Sequence, residues 1–266
     1  MGAVYKSIES KSLNKMIDIG VVIPSFFDKI FIMLHGYGGS IKEAERVLPI
    51  EEYAETYNML VVIPELGNKF YLDRRDIEGE KDFVVSDFLC KELPAFIISE
   101  YRLPEKLDIV LGGYSMGGFG AILHGLNHPG CFKGVISVSG AFIANEIAIG
   151  SDFVVGTTEK CREAFDIFMI KDGELPIDVL PENTERNPMA VVNSMDEKQI
   201  TQLPAIVLTC ATKDIWYSTA QQMKRAMEER DIPFSYYEIV DGGHDFAEFN
   251  LSLIHISEPT RPEPIS

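Results

Sequence analysis

Four short runs in this chain of 266 residues, FIMLH, MLVVIP, LDIVLGG and GVISVSG, are apolar at almost every position. A strand with one wet face alternates apolar and polar residues, whereas a strand covered on both faces reads as a continuous apolar run. The runs therefore call for a sheet with a layer on each side, the packing of parallel strands joined by helical crossovers. Eight segments read as strands: 4–9, 17–24, 30–35, 59–64, 107–113, 134–139, 205–211 and 234–240. Helical periodicity lies between them. Val85, Leu89, Leu93 and Phe96 share a face in 81–101, where Pro94 should kink the helix or start a new turn. Ala220, Met223, Ala226 and Met227 do the same in 217–230, with Ser218 and Thr219 as its start signal. The first two strands have no helix between them and should form an antiparallel edge. The expectation is an α/β fold: a mostly parallel eight-stranded sheet flanked by helices.

One stretch breaks the alternation. Sixty-five residues, 140–204, separate the sixth and seventh strands, far more than a simple crossover needs. The segment 141–203 reads as a cap-like insertion leaving the carboxyl end of the sheet, where open α/β sheets bind ligands. Its apolar residues, from Phe142 and Ile143 to Phe168 and Met169, suit a wall of an acyl pocket. Residues 1–250 then form one domain. The closing LSLIHISEPTRPEPIS (251–266) has three prolines and no core-facing period, and reads as a non-native or disordered tail.

Charge narrows the partners. Lys plus Arg is 24 and Asp plus Glu is 41, a net charge of −17. Such a field repels phosphate backbones and anionic lipid, which argues against nucleic-acid and membrane partners. No segment approaches the roughly 18 apolar residues of a membrane span, and MGAVYKSIES lacks the apolar stretch of a secretory signal. Cys90, Cys131, Cys161 and Cys210 form no C-x-x-C pair and read as reduced thiols of a cytoplasmic protein.

The strongest chemical signal is GGYSMGG at 112–118, which holds G-x-S-x-G as Gly113-Tyr114-Ser115-Met116-Gly117. It follows a buried strand and precedes a helix, the context of a nucleophile elbow, so Ser115 is the candidate nucleophile. A serine needs a base. Of His35, His124, His128, His244 and His255, only His244, in DGGHDF, follows the last strand closely enough to swing over Ser115. His124 and His128 have metal-pair spacing but no evident third ligand, so no metal is expected. Asp214, in ATKD at the end of the seventh strand, is the candidate to orient His244; Asp241 and Asp245 are rivals in the histidine's own loop. Acyl transfer also needs oxyanion donors. The backbone N–H groups of Met116 and of Tyr37, in HGYGGS, are chosen, with Gly38 second. Gly38, Tyr114 and Trp216 are candidates for the substrate pocket, Trp216 equally for packing. Neither G-x-x-x-x-G-K-[ST] nor a helix-opening G-x-G-x-x-G is present, and no cofactor is expected.

KSIESKSLNKMIDIGVVIP, IFIMLHGYGGS, GGYSMGGFGAI, ATKD and GGHDF follow one another in an order that resembles the esterase D-like "putative esterase" group of α/β-hydrolases. The resemblance covers residues 4–250 and is nearest to the tributyrin-esterase branch. It implies an α/β-hydrolase fold and a cofactor-free serine carboxylesterase with Ser115, His244 and Asp214 as its triad, acting on a small ester substrate. Phe246 stands where relatives commonly carry Trp. Four other readings share the apparatus or the fold: an S-formylglutathione hydrolase-type thioesterase, a feruloyl or acetylxylan esterase, an acyltransferase, and a non-catalytic binding protein. A homo-oligomer also stays open.

Overall fold

All eight expected strands form, and they join in one sheet. In the computed structural model, which describes residues 3–73, 82–104, 106–142 and 184–245, they are β1 (Val4–Ser10), β2 (Lys15–Val22), β3 (Lys29–Leu34), β4 (Met59–Pro64), β5 (Asp108–Tyr114), β6 (Gly134–Val138), β7 (Ala205–Ala211) and β8 (Ser235–Ile239). Their order is β1-β2-β4-β3-β5-β6-β7-β8. As the missing helix implied, β1 and β2 pair antiparallel, and β2 meets β4 antiparallel; every other pairing is parallel.

The continuous apolar runs have a direct explanation. Successive residues of β3 point into opposite layers: Ile30, Ile32 and Leu34 into one core cluster, Phe31 and Met33 into the other. In β4, Leu60 and Val62 face the first cluster, while Met59, Val61 and Ile63 face the second. Each such side chain stabilises the fold by about 1.5–3 kcal/mol relative to exposure.

The helices around the sheet are α1 (Ile41–Val47), α2 (Ile50–Thr56), α3 (Val85–Asp87), α4 (Leu93–Glu100), α5 (Met116–Asn127), α6 (Pro188–Ser194), α7 (Glu197–Thr201) and α8 (Tyr217–Glu229). Pro94 stands where a new α-helical stretch starts, as expected: it is the second residue of α4. A π-helical stretch, Phe88–Glu92, joins α3 to α4, and the Leu93 N–H donates to the Phe88 carbonyl. The widened turn accommodates a residue that has no N–H and whose ring crowds the carbonyl four residues back. The start of α8 differs from expectation. Ser218 and Thr219 lie inside the first turn, and the Thr219 hydroxyl donates back to the Trp216 carbonyl. The Trp216 N–H is instead taken by the Asp214 carboxylate, at 2.6 Å.

Residues 143–183 of the expected insertion, including Ile143, Phe168 and Met169, lie outside the described residues, as do Cys161 and the expected tail. Phe142 is buried with its ring against Gly140. The last part of the insertion forms α6, capped by Asn187, and α7, opened by an Asp196–Gln199 capping box. α6 packs on α5 and α8, so this part belongs to the helical layer. Cys90, Cys131 and Cys210 are in no disulfide among the described residues. No described helix is long and apolar enough to cross a membrane.

The chain winds from β3 to β4 on one side and, after crossing back over β3, from β5 to β6 on the other. The loops after β3 and β5 therefore diverge at a topological switch, where a crevice opens at the carboxyl ends of the strands. α5 closes on these two strands without side chains between. A Cβ on Gly117 would sit 2.1 Å from the Leu34 carbonyl oxygen, and one on Gly113 would sit 2.4 Å from the Gly117 carbonyl carbon. Gly117→Ala is expected to cost about 3 kcal/mol or more, read as a lower urea midpoint. A midpoint equal to wild type would contradict this packing.

His124 stands on the buried face of α5. Its Nε2–H donates to the Tyr71 carbonyl at 2.8 Å, and burial lowers its pKa from 6.5 to about 4. Between those values the unfolded chain binds a proton that the folded chain refuses. Stability present above pH 6.5 should therefore fall by about 3 kcal/mol as pH drops to about 4. Urea titrations from pH 7 to 4.5 check this: His124→Gln, which does not titrate, should show a flatter dependence than wild type.

Candidate active site

Ser115 occupies the sharp turn between β5 and α5, with φ 55° and ψ −115°. A non-glycine residue there is strained, and the surroundings must hold it. The Ser115 N–H donates to the Val138 carbonyl at 2.9 Å, while its own carbonyl accepts from Phe119 at 3.0 Å and from Ala141 at 3.1 Å. The elbow is thus pinned to the end of β6 and to the first turn of α5. The side chain is carried to the mouth of the crevice and is almost completely buried.

His244 meets it from the loop after β8. That loop is zipped to the end of β7: Thr212 N–H donates to the Ile239 carbonyl, Lys213 N–H to the Gly242 carbonyl, and Asp241 N–H to the Thr212 hydroxyl, at 2.9–3.0 Å. The consequence is a continuous chain of contacts. His244 Nε2 lies 3.1 Å from Ser115 Oγ, and His244 Nδ1 lies 2.9 Å from Asp214 Oδ2. An ionised carboxylate can only accept, so Nδ1 carries the proton and Nε2 offers its lone pair to the serine hydroxyl. The Asp214 side chain is 0% exposed and that of His244 22%. The second Asp214 oxygen is occupied by the Trp216 N–H, which leaves the carboxylate one orientation. Of the rival carboxylates, Asp241 pairs with Lys213 at 2.8 Å, exposed to solvent. It is Asp214 that reaches the imidazole.

The candidate pocket residues divide. The Tyr114 ring stacks on the His244 imidazole, with centroids 4.7 Å apart and planes inclined by 29°. Trp216 is buried in the core, its indole N–H without a partner among the described residues. Gly38 has φ +70°, a left-handed conformation that suits glycine, and its N–H donates to Asn68 Oδ1 at 2.7 Å. That bond removes Gly38 as the alternative oxyanion donor. Met116 is the first residue of α5, and its N–H has no acceptor among the described residues. The positive end of the helix dipole adds to the attraction for a developing negative charge there.

Sequence reasoning passed over the loop after β4. Asn68, Phe70 and Tyr71 lie against HGYGGS: besides the Asn68 bond, the Tyr71 hydroxyl donates to the His35 carbonyl at 2.8 Å. The one local signal was the turn pair Gly67-Asn68. His35 is buried, and its Nδ1–H donates to the Gly36 carbonyl; burial lowers its pKa. His124 and His128 stack ring on ring, and His124 is engaged by Tyr71.

Residues 27–259 match the model of the family described as "Putative esterase". An acetyl esterase of Caldicellulosiruptor saccharolyticus is 27% identical over 232 residues, 86% of this chain and 82% of that protein. Among solved structures, a ferulic acid esterase superposes with a TM-score of 0.71 at 19% identity, covering 94% of each chain. An S-formylglutathione hydrolase from Staphylococcus aureus gives 0.71 at 18%, covering 96% of this chain and 97% of that one. These two likenesses establish the α/β-hydrolase fold. The family match, which takes in the six strands β3–β8 and every residue of the Ser115–His244–Asp214 chain, places this protein in the "Putative esterase" family as a carboxylic ester hydrolase.

Proposed function

We propose that the protein hydrolyses short-chain carboxylic esters through an acyl-enzyme on Ser115. The observation that carries this reading is the unbroken hydrogen-bond chain Ser115–His244–Asp214, at 3.1 and 2.9 Å. His244 Nε2 takes the hydroxyl proton as Ser115 Oγ attacks the acyl carbon. The buried Asp214 carboxylate stabilises the imidazolium that results. The carbonyl electrons collect on oxygen, where the N–H groups of Met116 and Tyr37 receive them. Collapse of the tetrahedral adduct breaks the carbon–alkoxide bond, and His244 returns the proton to the leaving alcohol. Water then repeats the sequence on the acyl-enzyme, releasing the acid and free Ser115.

Short acyl groups are supported by the acetyl esterase among the relatives. One extra methylene in an apolar pocket is worth only about 1–3 kcal/mol, so the preference is graded. On p-nitrophenyl esters from acetate to octanoate, kcat/KM is expected to peak at two to about six carbons. A maximum at octanoate would reject the short-chain reading. Because only neutral imidazole can accept the serine proton, kcat/KM should rise with pH through one ionisation. Ser115→Ala should fold as wild type and lose about 10⁴–10⁶ in kcat. A folded mutant that keeps a tenth of wild-type kcat would rule out this mechanism.

A further inference from the structure

We propose that Tyr71 is a positioning residue that sets the spacing between the two oxyanion donors. The proposal rests on the reading that the Met116 and Tyr37 N–H groups hold the oxyanion. Those two donors belong to separate elements: Met116 opens α5, and Tyr37 lies in the loop after β3. Tyr71 touches both. Its hydroxyl donates to the carbonyl of His35, two residues before Tyr37, at 2.8 Å. Its ring lies on Gly120 of α5, where a Cβ would come within 2.6 Å of it. Its own carbonyl accepts from His124 of α5 at 2.8 Å. Gly120 and His124 follow Met116 by four and eight residues, so Tyr71 runs along the helix face that ends at the Met116 donor.

The rest of the loop supports the same junction. Asn68 Oδ1 holds the Gly38 N–H at 2.7 Å, one residue beyond Tyr37. The Phe70 ring sits between Tyr37 and Phe119 of α5, at 6.4 and 5.7 Å. Phe70 and Tyr71 are two successive non-glycine residues in the left-handed region, with φ 52° and 57°. Such a conformation persists only where the surroundings over-determine it, and here the surroundings are the two oxyanion elements. Tyr71 is 1% exposed, and burial keeps its phenol protonated, so it remains a donor over the working pH range.

An oxyanion hole acts by geometry: its donors must meet the tetrahedral adduct rather than the ground-state carbonyl. Loosening one donor by a fraction of an ångström therefore lowers kcat and leaves substrate binding alone. Tyr71→Phe keeps the ring and deletes only the bond to His35. On p-nitrophenyl acetate it is expected to lower kcat about 10–100-fold with KM within about two-fold of wild type. The acid limb of the pH profile should stay in place, because Ser115, His244 and Asp214 are untouched. The inhibition constant of a methyl trifluoromethyl ketone, whose hemiketal oxygen occupies the hole, should rise by the factor lost in kcat/KM.

A folded Tyr71→Phe protein with wild-type kcat and inhibition constant would overturn the proposal. So would a loss of kcat with no change in inhibition, since the defect would then lie in the Ser–His pair. Should Tyr71→Phe fail to fold, Asn68→Ala, on a half-exposed turn of the same loop, decides by the same criteria, with about a 3–10-fold loss expected. Ser115→Ala in the same assay separates the two claims. An active Ser115→Ala would sink the underlying mechanism. An inactive one beside a wild-type-like Tyr71→Phe would sink only the role of Tyr71.

Discussion

The backbone of α5 rests directly on the strand ends of β3 and β5, and the candidate site depends on that contact. Gly113 and Gly117 leave no room for a Cβ between strand and helix. Only at that separation can the chain turn from strand to helix through a single residue, which puts Ser115 at φ 55°. The strain is contained because both flanks of the turn are bonded elsewhere, to Val138 and to Ala141. The same turn opens α5, whose first N–H is that of Met116, the residue after the serine. One close approach thus delivers the proposed nucleophile and one proposed oxyanion donor.

The other parts of the site arrive from the opposite half of the sheet and are rigid for a different reason. The loops after β7 and β8 are hydrogen-bonded to one another before they reach the imidazole. Asp214 has one oxygen on Trp216 and one on His244, so the carboxylate cannot rotate without losing a buried bond. A buried charge left without partners is costly; here both oxygens are engaged. The Tyr114 ring covers one face of the imidazole. The histidine is therefore held at its edge by Asp214 and over its face by the residue preceding the serine.

Polar groups inside the helical layer follow the same economy. His35 and His124 are buried and neutral, each donating one ring N–H to a backbone carbonyl. Both carbonyls belong to loops that border the crevice. The His124 bond ties the Tyr71 loop to α5, whereas the His35 bond is local, to a carbonyl that also accepts from the Gly39 N–H. The histidine-pair spacing of His124 and His128 thus has a structural outcome, stacked rings on a helix that carries the elbow.

Much was legible in the sequence because it was written in local pattern. Continuous apolar runs marked the strands, the absence of a helix marked the antiparallel edge, and G-x-S-x-G in a strand–helix context singled out Ser115. Chain order then ranked Asp214 and His244 at strand ends. Three things were not local. The widened π-helical turn just before Pro94 joins segments whose inner face, from Val85 to Ile97, is packed in the core, and no residue pattern announces it. Asp214 prevails over Asp241 and Asp245 because the zipped loops turn His244 toward β7, a matter of three-dimensional aim rather than of residue type. The buttress of Asn68, Phe70 and Tyr71 left almost no trace in the sequence. Its contacts join segments some 30 to 50 residues apart, from Gly38 to His124. Periodicity encodes which residues are buried and motif encodes which chemistry is available. The distances between groups from separate strands are set only when the sheet, its helix and its loops have packed together.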